Sequence, residues 1–316
     1  MNAADLTIGV DIGGTKIAAG TVDVHGNMIE YVRVPTPETI EGIDDGIVEA
    51  VQRLRRTNEV VAVGVAAAGF IDQRRTGVRF APNLPWREHP LGQVLSDRLA
   101  IPVVVENDAN AAAWAEFRFG AGREIDDMIL ITVGTGVGGG IVHSGQLIRG
   151  AYGVAAELGH MKMVPDGQVC GCGQRGCWEQ YASGTALVRF ARAQVTAYPK
   201  DGAALLAAAN GVVDEIEGHM VTEAAKAGDA LSVRVFAEIG RWLGQGIADM
   251  ASVLDPAMAV IGGGVADAGD LLLEPARSVY EAMLSGGGHR PHLQIRGATL
   301  GNEAGIIGAA DLARRP

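Results

Sequence analysis

One short pattern occurs twice in this sequence, and it narrows the available folds more than any other feature. Residues 6–12 are an apolar run, 13–15 a glycine turn and 16–22 a second apolar run. Residues 128–133, the glycines of 134–140 and residues 141–143 repeat that order. Apolar runs of this length bounded by glycine predict strands joined by tight turns. Their repetition predicts two lobes of related topology, for which 316 residues give ample chain.

The remaining pattern alternates. A third strand is expected over 28–34 and a helix over 40–56, where Ile43, Ile47, Val51 and Leu54 recur at helical spacing. Strands follow at 60–66 and 103–106, then an alanine-rich helix over 110–119 capped from Asn107 or Asp108. Over 232–254, Val233, Phe236, Ile239, Leu243, Ile247, Met250 and Leu254 form one core-facing stripe. A strand over 257–261 runs into glycines, and a helix over 303–313 carries Gly305 and Gly308 for close packing. Strands alternating with helices make the class α/β.

Composition removes several functions. A net charge of −11 disfavours a nucleic-acid partner. No basic segment followed by an apolar one opens the chain, and no run approaches about 18 apolar residues. Neither a targeting segment nor a membrane span is expected, and the chain reads as cytoplasmic.

Three glycine loops end three strands: Asp11-Ile12-Gly13-Gly14-Thr15-Lys16, the run from Gly134 through Thr135, Gly136 and Gly138 to Gly140, and Gly262-Gly263-Gly264. Such loops expose backbone N–H groups to anionic oxygens. Asp11 with Lys16 suits a hydrated Mg²⁺ and its phosphates. A Walker-type loop is absent from the sequence. The dinucleotide fingerprint matched by Gly134, Gly136 and Gly139 needs a helix after it, and a short strand follows instead. Asp108, where a strand meets a helix, is either a cap or a carboxylate placed to take a proton.

All 3 cysteines, Cys170, Cys172 and Cys177, lie in one glycine-rich loop. That clustering suits a metal better than disulfides, and His160 is the nearest fourth ligand for a Cys₃His zinc site. Such a site leaves no open position, so the zinc is expected to be structural.

These motifs resemble the ROK-family sugar kinases of the actin-like ATPase superfamily. The resemblance rests on Asp-x-Gly-Gly-Thr-Lys, Gly-Thr-Gly-x-Gly-Gly-Gly, Glu-Asn-Asp-Ala-Asn, Glu-Leu-Gly-His and Cys-x-Cys-Gly-x-x-Gly-Cys-x-Glu, and runs from about residue 6 to the C-terminal helix. It implies a two-lobed, ribonuclease H-like fold with ATP and sugar in the interlobe cleft. The small lobe would be 1–120 plus 302–316, and the large lobe, with the zinc loop, 121–301. It implies ATP with Mg²⁺ as donor, Asp108 as general base, and Gly69, Asn83, Asn107, Glu157, His160 and Glu179 around the sugar. Glucose phosphorylated at its 6-hydroxyl is the leading reading. N-acetylmannosamine, N-acetylglucosamine, allose or fructose are alternative acceptors, and polyphosphate is a lesser donor. The family also contains sugar-responsive regulators, but a first strand beginning near residue 6 leaves no expected room for a DNA-binding module. A homodimer or homotetramer is implied.

Overall fold

The computed structural model describes residues 6–314. The first five residues, part of the stretch read for a targeting segment, and the last two of the expected small lobe lie outside that range. By contacts the chain divides into two units: Met1–Leu130, Gly140–Ala156 and Thr299–Pro316 form one, Ile131–Gly139 and Glu157–Ala298 the other.

The first unit is built on a five-stranded sheet. Its strands are β1 (Leu6–Ile12), β2 (Lys16–Val22), β3 (Met28–Pro35), β4 (Val60–Ala67) and β8 (Val103–Asn107), in the order β3-β2-β1-β4-β8. β1 and β2 are an antiparallel hairpin, whereas β4 runs parallel to both β1 and β8. Helices α1 (Ile40–Leu54), α2 (Leu91–Leu99) and α3 (Asp108–Phe119) follow their strands. A second, small sheet holds β5 (Phe70–Ile71), β6 (Val78–Phe80) and β7 (Arg87–His89). Ile8, Val10, Ile43, Ile47, Val63, Val65 and Trp86 lie in one buried core cluster.

The other sheet has the order β11-β10-β9-β12-β13, from β9 (Met128–Val133), β10 (Val137–His143), β11 (Gln146–Leu147), β12 (Met258–Gly262) and β13 (Gln294–Gly297). Numbered from its own first strand, this order matches the first sheet, so the sequence repeat is a repeat of topology. The helices of the second unit are α4 (Glu179–Ala182), α5 (Gly184–Ala197), α6 (Ala203–Ala208), α7 (Gly218–Lys226), α8 (Ala230–Leu254) and α9 (Asp270–Met283). On α8 the expected stripe is buried from Phe236 to Met250, but Val233 is exposed and Leu254 only partly buried; Leu231 and Val235 are the buried apolar residues at the N-terminal end. β10 begins at Val137, so Gly138 and Gly140 are strand rather than turn. At Gly140 a Cβ would overlap the Ala113 side chain, so this glycine admits α3.

The last helix, α10 (Ala304–Ala313), packs within the first unit through glycines. A Cβ on Gly9 would overlap the Ile306 carbonyl, on Gly64 the Ala309 carbonyl, and on Gly308 the Ala111 carbonyl. Isolated glycines inside strands commonly mark such close backbone approach. Among the described residues, no helix is long and apolar enough to cross a membrane.

Candidate active site

The carboxyl ends of three parallel strands gather the acidic groups of the first unit. The register sets Asp11 beside Ala66 and Ala66 beside Glu106, with Ile12, Ala67 and Asn107 forming the next row. Asp108 opens α3 directly after β8. In open α/β sheets, ligands bind outside the carboxyl ends of the strands. Burial raises the Asp11 carboxyl to about 6, Asp108 adds to the rise and Lys16 opposes it. Burial also lifts Asp108 above the usual carboxylate range, against backbone hydrogen bonds from Ala109 and Asp108 itself. Asp108 keeps part of its surface open. A carboxylate raised in this way is well suited to accept a proton.

The capping question has an answer. Asn107 Oδ1 accepts from the Asn110 N–H at 3.0 Å, so Asn107 is the N-cap, while the Asp108 carboxylate takes backbone hydrogen bonds within the same first turn. Asn107 Nδ2 donates to the Gly69 carbonyl at 3.1 Å, which leaves its amide one lone pair and one N–H for a ligand. At Gly69 a Cβ would overlap the Phe80 carbonyl, so this glycine packs against the start of the loop bearing exposed Asn83. Beneath the junction lies Glu106, 2% exposed. It accepts from Arg149 Nε at 2.7 Å and Asn110 Nδ2 at 3.2 Å, with Arg75 Nε 3.5 Å away.

The glycine loops share a property that folding alone does not require. A Cβ on Gly14, Gly134 or Gly264, one glycine from each loop, would meet nothing within 4 Å. None of the three has a positive φ. A group approaching closely along the backbone, as a phosphate does, gives a reason for glycine there. Gly13 instead ties its loop, donating to Lys16 O at 3.0 Å and accepting from Thr36 Oγ1 at 2.8 Å. Gly263 takes φ +84° beneath the Val133 carbonyl, and Gly262 is the last residue of β12.

Within the second unit, a cavity of about 930 Å³ is lined by Gly134, Thr135, Gly264 and Val265. It is also lined by residues the sequence did not single out: Gly184, Thr185 and Arg192 of α5, and His219, Thr222 and Lys226 of α7. Gly184 N–H donates to the Gly134 carbonyl at 2.7 Å and Thr185 Oγ1 to the Thr135 carbonyl at 2.7 Å. A signal for this wall was present: Ser183-Gly184-Thr185 opens a helix capped by Ser183, and helix N-termini favour anions.

The cysteine cluster forms as spaced. Cys172 and Cys177 sulfurs stand 3.6 Å apart, and Cys170 Sγ lies 3.8 Å from His160 Nδ1. All four ligand atoms fall within 4.8 Å of one another. Zn–S bonds of about 2.3 Å in a tetrahedron separate sulfurs by about 3.8 Å, so the donor set fits Zn²⁺. Burial and a hydrogen bond to Glu179 raise the Cys170 thiol. At Cys172 burial also acts upward, but hydrogen bonds from the Gln174 backbone and the neighbouring thiols outweigh it. Trp178, fully buried, anchors the loop through its indole N–H to the Trp242 carbonyl at 2.8 Å.

Around this cluster stand the second unit's carboxylates. Glu179 Oε1 accepts from Cys170 Sγ at 2.9 Å, and His160 turns Nε2 toward Glu157 at 3.9 Å. A Cβ on Gly136 would stand 2.6 Å from Glu179 Oε2, so that glycine lets the loop lie against the carboxylate. At Gly159 a Cβ would overlap the Val137 carbonyl, seating the segment between Glu157 and His160 on the start of β10. Glu157, His160 and Glu179 thus come together in one unit, and Asp11, Gly69, Asn83, Asn107 and Asp108 belong to the other.

The sequence profile described as the ROK family matches residues 7–316. The chain belongs to the ROK family. Its similarity to the ROK relatives extends over nearly the whole chain. A glucokinase of Streptomyces coelicolor is 53% identical over 311 residues, covering 98% of this chain and 98% of the relative. An N-acetylmannosamine kinase of Citrobacter koseri is 35% identical, with 98% of each chain covered. The crystal structure of a ROK family glucokinase from Streptomyces griseus, in complex with glucose and AMPPNP, matches with a TM-score of 0.89 at 54% identity. That match covers 98% of this chain and 100% of the other. The fold is the actin-like ATPase fold of the ROK sugar kinases.

Proposed function

We propose that this ROK protein is an ATP-dependent glucokinase, transferring the γ-phosphoryl group of ATP to the 6-hydroxyl of glucose. Asp108 carries the reading: it is a carboxylate raised by burial at the carboxyl end of a parallel sheet, in the first turn of the helix that Asn107 caps. It accepts the hydroxyl proton as the new oxygen–phosphorus bond forms. Asn83, Asn107, Glu157, His160 and Glu179 offer the amides, carboxylates and imidazole that read hydroxyls, and Gly69 sets the backbone beside Asn107. Gly13, Gly14, Thr15, Lys16, Gly134, Thr135, Gly136 and Gly138 serve the phosphates; Gly262, Gly263 and Gly264 serve the adenosine.

Mg²⁺ bound with ATP supplies positive charge that neutralises the phosphates. Asp11, costly to ionise where it is buried, is the carboxylate such a cation would relieve. Zn²⁺ held by His160, Cys170, Cys172 and Cys177 has four protein ligands and serves as a brace for Glu157 and Glu179. The lobes of this reading are a small one of 1–120 plus 302–316 and a large one of 121–301, whereas the contact units place residues 121–130 and 140–156 with the first unit. A homodimer or homotetramer in the cytoplasm, read out by light scattering of the purified enzyme, completes the proposal.

The higher identity to a glucokinase than to an N-acetylmannosamine kinase favours glucose. An ADP-release assay over glucose, N-acetylmannosamine, N-acetylglucosamine, allose and fructose, with ATP or polyphosphate, tests the choice. The largest kcat/KM is expected for glucose with ATP. A larger value for N-acetylmannosamine would replace glucose as the substrate.

A further inference from the structure

The loop that carries Asn83 is built around a single guanidinium. β6 and β7 pair Phe80 with Arg87, which leaves residues 81–86 as their connection. Pro82 and Pro85 have no N–H, so the loop is short of backbone donors for its own carbonyls. One backbone bond spans it, from Ala81 N–H to Trp86 O at 3.3 Å. Arg87 supplies the missing donors. Its Nη1 donates to the carbonyls of Ala81, Leu84 and Trp86 at 2.7, 3.0 and 2.6 Å. The guanidinium carbon also lies 4.2 Å from the centre of the Phe80 ring.

The result is a loop with a fixed sidedness. Leu84 and Trp86 turn into the core, and Pro82, Asn83 and Pro85 face outward. Trp86 stacks on His89, which is held by Asp44 at 3.0 Å. The start of the loop is set by Gly69, whose carbonyl binds Asn107, the neighbour of Asp108. Asn83 is therefore placed from one end by Gly69 and from the other by Arg87.

We infer that Arg87 is a positioning residue for hexose binding, holding the 81–86 loop so that Asn83 meets a sugar hydroxyl. The inference rests on the reading of Asn83 as a sugar-binding amide. Arg87 acts through the loop carbonyls and not on the sugar. Without it, those carbonyls turn to water and Asn83 must be ordered anew each time a sugar binds. All three bonds come from Nη1, whose two N–H groups are shared among three carbonyls, so a lysine ammonium retains part of this role. The loss applies equally to bound glucose and to the transition state, so it belongs in KM and not in kcat.

The test compares wild type, Arg87→Met, Arg87→Lys and Asn83→Ala, alone and combined, with glucose and MgATP. Arg87→Met keeps an unbranched apolar stem and removes the donors together with the guanidinium over Phe80. It is expected to raise the glucose KM, and the calorimetric Kd without nucleotide, by about tenfold or more. Arg87→Lys should raise them less, with kcat and the ATP KM within about twofold of wild type in both. In the Asn83→Ala background, Arg87→Met should add less than about twofold, because the residue it positions is gone. An unchanged glucose KM, parallel losses in kcat and ATP affinity, or an undiminished effect in that background overturns the inference. Should Arg87→Met not fold, Arg87→Lys carries the same comparison. Wild-type turnover of glucose tests the proposed function separately. An Asn83→Ala enzyme with wild-type glucose KM overturns the role of Arg87 while leaving the glucokinase reading standing.

Discussion

Asp11 stores a cost that a neutral substitute should release. Burial and the nearby Asp108 raise its carboxyl from 3.8 to about 6. Each pKa unit corresponds to about 1.4 kcal/mol, so the ionised form costs the folded protein about 3 kcal/mol. The sign follows from proton counting. Between pH 4 and 6 the folded chain holds this proton more tightly than the unfolded one, so the contribution of Asp11 to stability declines as pH rises through that window. Above it the full penalty applies. Asp11→Asn has the same shape and no charge. In protein free of metal and nucleotide, it should be more stable than wild type by about 3 kcal/mol at pH 7.5, with the gap closing toward pH 4. For a unit of this size that corresponds to a gain in Tm of about 6–12 °C. Scanning calorimetry across that pH range reads it directly, and MgATP-dependent turnover should fall in the same variant. A Tm difference that is independent of pH, or an Asp11→Asn protein less stable than wild type at pH 7.5, refutes the reasoning.

Glycines of two kinds should separate. Gly308→Ala forces a Cβ into the Ala111 carbonyl, and should destabilise by about 1–3 kcal/mol or more in a thermal melt. Gly14→Ala meets nothing within 4 Å, so stability should change by about 0.5 kcal/mol or less while the KM for ATP rises. Equal melting losses in the two variants would contradict that division. Cys172→Ser should lower zinc affinity by about 10–100-fold or more and weaken glucose binding with it, measured by elemental analysis and calorimetry. Unchanged glucose affinity in zinc-free protein would show that the metal does not brace Glu157 and Glu179.

How much of this was legible in the sequence depended on the range of the forces involved. The two glycine hairpins were visible because strand and turn signals are local, and the structure places both turns where glycine interrupts the apolar run. The metal cluster was visible because its chemistry sits in eight consecutive residues, with His160 the one distant member. β5, β6 and β7 were not visible, since strands of two or three residues show no period. Arg87 looked like one more surface charge, and only the folded loop reveals its three carbonyl partners. Gly9 and Gly64 announce close approach, but nothing local names α10 as the partner some 245 or more residues away. Val233 fell outside the buried stripe because Leu231 and Val235 fill the core at that end of the helix, and apolar spacing alone did not choose between them and Val233.

The most direct test of the central claim is the Asp108→Asn enzyme assayed with glucose and MgATP beside calorimetric titration with glucose. A base acting in phosphoryl transfer accounts for about 10²–10⁴-fold in rate, so kcat should fall by that much while the glucose Kd stays within about threefold. The acid limb of the wild-type kcat profile should also lie above the ordinary carboxylate range, as burial of Asp108 dictates. An Asp108→Asn enzyme with wild-type kcat would remove this residue as the base.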